Sequence, residues 1–439
     1  FSVRGGGFFT MPGQLPTVTN IGMSEKKINL LAARFMGYGL NRENALWSAW
    51  DSYRRFLEEY AEVVLDIRHE TFDVIIESMK RQYGVQLKED LTWREMKKIT
   101  QCYKKKIEEI KGKNAIPIDP RMQLNNVMHA VRTSWPKTEE YRMSRNITGD
   151  WGEGTIVMLQ AMVYGNIRAP GESGSGVVYS REPNTYRVGM YGDYKTLAQG
   201  RDLADHISLP YDIRDFQRSG AEWFGKLDRD VRRLDYYYCN TVVEIEVTLQ
   251  NGTQQILQVR EAYTLKSKYE FLFQPPAAEI IGRGRPSSGG AYRGLIVYLI
   301  QDLSKNKLIT MYQKALEMHL DGLIMVCDEL EPSHRFIITQ EIKGESHLVV
   351  GGLITKRGGI ASHSADIARD TNIACIVATP GLEWNEKKAQ WSINSFPLEE
   401  GAVISIDGSR GIIAKGAYPL KSKNNSGFTL RYHRTLSDI

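Results

Sequence analysis

The stretch 355-TKRGGIASHSADIARDTNIACIV-377 places His363 where a glycine-containing turn is predicted to become a helix. Gly358 and Gly359 let a backbone approach a bulky anion closely. The free N–H groups and the dipole at a helix start stabilise negative charge by about 0.3–1 kcal/mol. A histidine at this point can therefore accept a phosphoryl group, since histidine is a covalent nucleophile in enzymes. The alternative is that Ser362 caps the helix and His363 is only a first-turn residue.

Short apolar runs surround this stretch and alternate with a helical pattern. Before it, strands are predicted within 294–300 and 322–329, with a helix within 309–320 between them. After it, strands are predicted within 374–378 and 402–416. Alternation of this kind is typical of an α/β domain, so the C-terminal part of the chain is predicted to fold as one.

The N-terminal part of the chain has a different pattern of apolar and loop-forming residues. Residues 1–22 are rich in Gly and Pro and predict a loop. From 24 to 112 the apolar positions recur at a spacing of three to four, which predicts helices. A further helix is predicted to begin through Asp119 and Pro120, because proline suits the first helical position.

Strand signals follow the helical part. Thr155–Tyr164 has β-branched residues bounded by glycines, and Asn251-Gly252 predicts a tight hairpin. The stretch 272–294 is rich in Pro, Gly and Ser and indicates a linker. The predicted units are residues 1–262 with a helical subdomain at about 24–150, a linker at 263–277, a second domain at 278–417 and an exposed tail at 418–439.

On the predicted hairpin, Glu244 and Glu246 are two residues apart and so face the same side of one strand. Gln258 and Arg260 lie on the partner strand. Two carboxylates on one face can share Mg²⁺, which bridges phosphate oxygens and offsets their charge. The alternative for each glutamate is an ordinary solvated strand face.

Composition narrows the class of protein. The 439 residues are 42% hydrophobic and carry a net charge of +5, with lysines interspersed among acids, so neither nucleic acid nor a membrane is expected as a partner. The four cysteines form no C-x-x-C pair, which argues against a zinc site and a disulfide scaffold and favours a cytoplasmic location. Because no methionine begins the chain, its natural N-terminus is expected to be missing.

The stretch around His363 resembles the signature of the phosphohistidine swivelling domain of phosphoenolpyruvate-utilising enzymes. A glycine pair, a Ser-His core and an Ala-Arg pair occur in the order of that signature, and the resemblance covers residues 278–417. It implies that His363 is the phosphorylated residue. One departure is Ala361, where the family usually has Thr, which puts in doubt any regulation through that hydroxyl.

Residues 1–262 resemble the nucleotide-binding part of the pyruvate phosphate dikinase and phosphoenolpyruvate synthase family. The resemblance implies an α/β and α+β multidomain protein, with a partial ATP-grasp domain followed by the swivelling domain. It implies phosphate contacts from arginines, an adenine-bordering strand, a small-residue loop over the phosphates, and metal ligands on the hairpin. The residues implied are Arg4, Arg54, Gln160, Met162, Ser173, Gly174, Ser175, Gln258 and Arg260 for ATP, and Glu244 and Glu246 for Mg²⁺.

Several positions depart from the pattern of this family. Some of the implied site residues also have plainer structural explanations. Gly5–Gly7 replace Ser-Gly-Ala after the arginine, Glu244 stands where Asp is usual, and Asp193 stands where Glu is usual. Arg54, taken alone, would be a helix surface residue, and a Gly/Ser loop is usually only a turn. The joint occurrence of these residues in the family's order favours the site.

Two parts of a full dikinase are expected to be missing: an N-terminal ATP-grasp lobe, and a β/α barrel, which needs about 250 residues. The chain is therefore expected to be one subunit of a split enzyme or a fragment. In the first alternative the chain resembles one subunit of a phenylphosphate or 4-alkylphenyl phosphate synthase. A partner subunit then supplies the missing lobe and the acceptor site. This alternative implies an AMP-forming transfer of phosphoryl through His363 to a small-molecule phenol such as p-cresol. In the second alternative the acceptor is pyruvate.

Two other classes of protein predict features that the sequence lacks. A non-catalytic ATP-sensing subunit predicts loss of His363 or of the carboxylate pair, and both are present. An antibiotic phosphotransferase of the rifampin type predicts a drug-binding helical domain between the two parts. The stretch 260–276 is too short to hold one.

Overall fold

The structure is a computed structural model with two compact units. The first comprises Phe1–Thr264, Glu329–Ser333 and Arg357–Ile367, and the second comprises Leu265–Asp328, His334–Lys356 and Ala368–Ile439. The residues it describes are 1–7, 14–139, 142, 154–184, 186–203, 210–219, 221–238, 241–262, 269–272, 275–299, 303–331, 334, 337–342 and 345–422.

Helices dominate the first half of the first unit, as predicted for 24–112. Those helices are α1 (Ile28–Met36), α2 (Arg42–Leu65), α3 (Glu70–Tyr83), α4 (Trp93–Lys111) and α5 (Pro120–Thr133). Two more, α6 (Asp215–Ser219) and α7 (Glu222–Tyr237), lie in the second half of the unit. Short 3₁₀ turns occur at Glu25–Lys27, Lys88–Asp90, Trp135–Thr138 and Gly200–Leu203.

Local capping explains where the helices begin. The Asp119 side chain accepts a hydrogen bond from the N–H of Arg121, and Pro120 is the first residue of α5, which confirms the predicted entry. Thr92 and Glu95 form a capping box at the start of α4. Around α2 lies a core that includes Trp47, Phe56 and other buried side chains.

Two sheets complete the first unit. A three-stranded sheet has the order β2–β1–β3, with β1 (Ser2–Gly6), β2 (Thr17–Val18) and β3 (Ile156–Gln160). A five-stranded antiparallel sheet has the order β6–β5–β4–β7–β8, with β4 (Gly174–Arg181), β5 (Val188–Thr196), β6 (Tyr211–Asp212), β7 (Val243–Gln250) and β8 (Thr253–Glu261). Helix α7 contacts four strands of the second sheet, β4, β5, β7 and β8.

The predicted hairpin is confirmed. Strands β7 and β8 pair in antiparallel register around Asn251 and Gly252. Both turn residues have positive φ, 50° and 75° respectively, and this left-handed pair matches the twist of the flanking strands. The turn sets the register from Gln250 opposite Thr253 to Val247 opposite Ile256, and a β-bulge between Glu246 and Val247 then shifts the pairing by one residue.

Three local predictions for the first unit were wrong or too broad. Residues 1–22 are not all loop, because β1 and β2 lie within them. The strand predicted over Thr155–Tyr164 is shorter, ending at Gln160. The loop expected at Ser173–Gly176 is largely strand, since β4 begins at Gly174. In each case cross-strand pairing, which local composition does not reveal, decides the conformation.

The second unit contains an eight-stranded sheet of order β10–β22–β21–β12–β13–β16–β17–β11. Its strands are β10 (Ile280–Arg283), β11 (Arg285–Ser288), β12 (Ala291–Tyr298), β13 (Gly322–Cys327), β16 (Val350–Thr355), β17 (Ala374–Val377), β21 (Val403–Asp407) and β22 (Ile412–Lys415). The four strands β12, β13, β16 and β17 run parallel, and the outer strands add antiparallel edges. The helices are α8 (Lys305–Glu317) and α9 (His363–Thr371), which continues from the first unit.

Smaller elements surround this sheet. Ala277–Glu279 forms a 3₁₀ turn. The remaining strands are β9 (Tyr269–Leu272), β14 (Thr339–Ile342), β15 (Glu345–Leu348), β18 (Leu382–Asn385), β19 (Gln390–Ile393), β20 (Phe396–Leu398) and β23 (Leu420–Ser422). The alternation of strands and helices confirms the α/β prediction for this part of the chain.

Two predictions for the second unit need correction. Most of the linker proposed at 272–294 is ordered strand, because β10 and β11 form the two edges of the large sheet. An edge strand tolerates Pro286, which explains why composition pointed to a linker. The tail proposed at 418–439 begins with β23, which pairs with β9, and 423–439 lies outside the described residues. None of the described helices is long and apolar enough to cross a membrane.

Candidate functional site: an ion-paired face beside the His363 helix

The site begins with the register of the β7–β8 hairpin. Glu244 stands opposite Arg260, and Glu246 stands opposite Gln258. Because successive side chains of a strand alternate between faces, these four side chains share one face of the sheet. The prediction that the two glutamates lie on one face is confirmed. Glu244 is only 6% exposed, so its plainer interpretation as a solvated residue is wrong.

Arg4 joins this face from strand β1. Its Nη1 donates to Glu246 Oε2 at 2.9 Å and to Gln258 Oε1 at 3.1 Å. The chain thus brings residue 4 beside residues 246 and 258, a contact that no local pattern in the sequence could reveal. The guanidinium fork is suited to phosphate oxygens as well as to carboxylates.

Arg260 and Glu244 form the buried pair of the site. Arg260 Nε donates to Glu244 Oε1 at 2.7 Å, and Nη2 contacts the same oxygen. Burial alone would lower the pKa of Arg260, but the charges of Glu244 and then Asp366 outweigh it and raise that pKa. Asp366 Oδ2 lies 3.8 Å from Arg260 Nη2 and belongs to helix α9, three residues after His363.

Asp193 is a further member of the face that sequence reasoning noted only as a departure from the family. It stands opposite Val177 on β4, and Val177 stands opposite Glu246 on β7, so all three lie in one cross-strand row. Its Oδ2 accepts a hydrogen bond from the backbone N–H of Ala361 at 2.9 Å. A Cβ at Gly359 would lie 2.2 Å from this oxygen, so the glycine permits the close approach of the loop to Asp193.

His363 is the first residue of α9, as the pattern of residues 355–377 predicted. His363 is half-buried, so part of the residue is open to solvent. The carbonyl of Ser362 accepts from the N–H of Asp366 at 2.9 Å, and its hydroxyl accepts from the N–H of Ala365 at 3.4 Å. Ser362 therefore caps the helix and His363 is a first-turn residue. The role of His363 as a nucleophile stays a prediction.

Two other contacts hold the turn in front of α9. Gly358 has φ of +95°, a conformation that favours glycine, and a Cβ there would lie 2.8 Å from Ser362 Oγ. Ser364 Oγ accepts from the N–H of Leu330 at 2.8 Å. The glycine pair therefore allows close packing of the turn. Approach of an anion to these glycines stays a prediction.

Arg54 lies in a different environment from the one implied for it. It is buried in α2, where its guanidinium pairs with Asp51 at 2.9 Å and Glu58 at 2.8 Å and lies over the ring of Tyr103. The plain interpretation of Arg54 as a surface residue is therefore wrong. Its contact with a nucleotide stays a prediction.

The glycine–serine segment is packed inside the five-stranded sheet. Ser175 is buried, and its hydroxyl bonds to the carbonyl of Ala198 and to Thr248 Oγ1, each at 3.0 Å. Gly174 is pressed against Tyr194, where a Cβ would lie 2.4 Å from the hydroxyl. Because β4 pairs with β5 on one side and β7 on the other, its amides belong to the ladder, and the small residues serve packing there. Nucleotide contact by Ser173, Gly174 and Ser175 stays a prediction.

The residues implied for the adenine border lie at the end of β3. Gln160 closes the strand, and its Nε2 donates to the carbonyl of Leu257 at 3.4 Å. Met162 follows the strand, packs against the core around α2, and accepts a weak hydrogen bond at sulfur from the N–H of Asn20 at 3.5 Å. Their role in binding adenine also stays a prediction.

The donor set on the face fits a divalent cation. Glu244, Glu246 and Gln258 offer only oxygen ligands, which Mg²⁺ prefers. The Glu246 side chain is 33% exposed, and its Oε1 makes no bond to any residue that the structure describes, while Oε2 faces Arg4. One carboxylate oxygen is therefore open to an incoming ion.

Comparison with known proteins gives the family context. Residues 320–411 match the family model described as the PEP-utilising enzyme, mobile domain. Pyruvate, phosphate dikinase of Clostridium symbiosum is 29% identical over 463 residues, which cover 97% of this chain and 49% of that protein. Pyruvate, phosphate dikinase 2 of Zea mays and the enzyme of Rhizobium meliloti (strain 1021) are each 30% identical over 97% of this chain and cover 48% and 49% of those proteins.

The chain spans about half the length of the relatives it matches. The matched mobile domain includes α9 and His363. The chain is therefore similar to pyruvate, phosphate dikinases over nearly its whole length, and its residues 320–411 match the mobile domain of PEP-utilising enzymes.

Proposed function

We propose that the chain is an ATP-dependent phosphotransferase of the dikinase type, in which His363 carries the phosphoryl group. The observation that supports this most is the juxtaposition of two features in the first unit. Arg260, on the ion-paired face, lies 3.8 Å from Asp366 of the helix that begins with His363. Asp193, on the same face, accepts from the backbone two residues before His363. The proposed nucleophile and the proposed phosphate-binding face therefore lie close to each other.

The nucleotide is proposed to lie on this face, in an ATP-grasp-like site. Arg4 and Arg260 would exchange their carboxylate partners for phosphate oxygens, which the guanidinium fork binds in the same geometry. Glu244, Glu246 and Gln258 would hold Mg²⁺, which offsets phosphate charge when bound. We also propose a cytoplasmic location, since Cys102, Cys327 and Cys375 form no disulfide bond.

The proposed first step is a displacement at phosphorus. A ring nitrogen of His363 forms the N–P bond while a P–O bond of the nucleotide breaks, and the leaving oxygen departs on the remaining phosphate. The phosphorylated histidine carries added negative charge at the N-terminus of α9, where the helix dipole stabilises it. AMP and phosphate are the proposed final by-products, so a second P–O bond of the phosphate chain must also break; water attacks there, and its oxygen leaves in the released phosphate.

Two acceptors are proposed for the second step. Pyruvate is favoured by the names of the relatives, which are pyruvate, phosphate dikinases. A phenol such as p-cresol, bound on a second subunit, is the other proposed acceptor, because Gly5–Gly7 depart from the family pattern in a way that fits a diverged acceptor or interface. In either case the acceptor site is proposed to lie outside the described residues of this chain.

The test is labelling of the full chain with β-³²P-ATP and Mg²⁺. We expect protein-bound phosphate that is acid-labile and base-stable, as a phosphoramidate at histidine is. His363→Asn should abolish the label, whereas His129→Asn, on the exposed side of α5, should retain it. Label that survives in the His363 variant would refute the carrier role.

The acceptor is tested separately with the labelled protein, alone and together with proteins co-purified from its source. Loss of label to pyruvate supports the dikinase alternative, and loss to p-cresol supports the phenol alternative. If neither molecule removes the label, both acceptors are wrong while the carrier role stands.

A further inference from the structure

Helix α7 presents an outward face that the proposed phosphotransfer does not use. Its inward side chains, among them Trp223, Leu227 and Val231, pack into a core with strands of the five-stranded sheet. The opposite side carries cations followed by aromatic side chains at helical spacing. This outward face consists of Lys226, Arg229, Arg232, Arg233, Tyr236 and Tyr237, all exposed.

The exposure of the two tyrosine side chains on this face is unusual for their type. Tyr236 is 82% exposed and Tyr237 is 78% exposed, so both rings lie largely in water. The Arg233 side chain is 81% exposed. Arginine and tyrosine are the residue types that protein–protein interfaces and their energetic centres favour, whereas isolated folds gain little from exposing them.

The charges on the face are only partly neutralised within the helix. Arg232 pairs with Asp228 at 2.8 Å, and Arg233 lies 3.7 Å from Asp230. Arg229 and Lys226 make no ion pair with any residue in the described part of the chain. Arg229 and Arg233 also stand four residues apart, a like-charge spacing that destabilises a helix by a few tenths of a kcal/mol. The stability of the fold therefore does not explain this arrangement.

We propose that this outward face of α7 is a docking surface for an acidic protein surface. The argument is charge complementarity: partner carboxylates would pair with Arg229 and Arg233, while the tyrosine rings supply apolar contact area. A second copy of the chain is disfavoured, because a two-fold pairing of this face with itself would bring like charges together. Nucleic acid is disfavoured, because the face offers at most four cations, while tight phosphate binding uses about 6–10 contacts.

The test measures binding of a fluorescein-labelled poly-L-glutamate peptide to the full chain by fluorescence anisotropy. We expect binding by the wild type that weakens about tenfold or more in Arg229→Glu/Arg233→Glu and in Tyr236→Ser/Tyr237→Ser. The matched control is Lys104→Glu/Lys105→Glu, which makes the same charge change at two exposed positions of α4. This variant should leave the affinity for the peptide unchanged. Circular dichroism establishes that each variant folds.

Four outcomes would overturn the proposal. The first is no binding of the peptide by the wild type. The second is equal weakening in the α4 control, which would show only a response to net charge. The third is tighter binding of oligothymidylate than of poly-L-glutamate, which would indicate nucleic acid. The fourth is a wild-type dimer in sedimentation that Arg229→Glu/Arg233→Glu dissociates, which would indicate a second copy.

Discussion

At the scale of single residues, the two glutamates of β7 show what same-face spacing can predict. The spacing placed Glu244 and Glu246 on one face, and the structure adds that each faces an arginine. Their environments differ: Glu244 is buried with Arg260, whereas Glu246 is partly exposed and keeps one oxygen open. Glu246 is therefore the more accessible ligand for a cation.

Replacement of Glu246 by Gln should weaken Mg²⁺-dependent nucleotide binding by about tenfold or more, because a charge-assisted bond of about 1.5–3 kcal/mol is lost while side-chain shape is kept. The measurement is calorimetric titration of ADP with and without Mg²⁺. The matched control is Glu261→Gln, at the exposed end of β8. Equal affinities for the Glu246 variant and the wild type would remove Glu246 from the metal site.

At the scale of elements, α2 shows how an amphipathic pattern can understate burial. Its apolar positions predicted one buried face, yet every residue from Ala45 to Ala61 is buried. Asp51 is one of the polar residues of α2 that the pattern would place in solvent. It is buried, and it accepts hydrogen bonds from Arg54, Arg55 and Asn166 inside the protein. Buried polar groups are tolerated when such partners satisfy them.

This network predicts a pH dependence of stability. Burial alone would raise the pKa of Asp51 and of Asp202, but the positive charges around them, Arg55 foremost, outweigh it and hold both pKa values below their ordinary range. A carboxyl whose pKa is lowered by folding stabilises the protein fully above its unfolded pKa of about 3.9. The stabilisation should then be lost progressively as the pH falls below about 4.

Asp51→Asn should lower the free energy of unfolding of the first unit by about 3–5 kcal/mol near neutral pH, since a buried pair loses one charge. The difference from the wild type should narrow as the pH falls below about 4. Denaturant unfolding followed over a pH series measures both effects. Glu109→Gln, in an exposed pair on α4, should change stability by less than about 1 kcal/mol at every pH. A pH-independent difference for Asp51→Asn would contradict the assignment.

At the scale of the whole molecule, the chain has separate cores. One lies around α2 and another between α7 and the five-stranded sheet, both in the first unit. A further core lines the eight-stranded sheet of the second unit and includes Ile376 and Ile404. Units with their own cores unfold with some independence, so a single two-state transition is not expected.

Calorimetry should therefore resolve more than one thermal transition. Phe56→Ala, in the core around α2, should lower one transition, since removing a buried phenyl group costs about 3–5 kcal/mol. Ile376→Ala should lower a different one, by about 2–5 kcal/mol. Val74→Ala, at an exposed position of α3, should shift neither. One transition that both core variants lower equally would mean that the units unfold as one.

The sequence by itself determined the helices of the first part, the α/β alternation of the last, the Asn251-Gly252 hairpin and the start of α9 at His363. Each depends on local signals: periodicity, a cap, a turn with positive φ. Only the tertiary structure decided that Arg4 meets Glu246, that Asp193 receives the N–H of Ala361, and that Gly174 is strand. It also decided that Arg54 is buried. These outcomes depend on which distant segments pair and which side chains are desolvated together, and residues far apart in the chain carry no local signal of either.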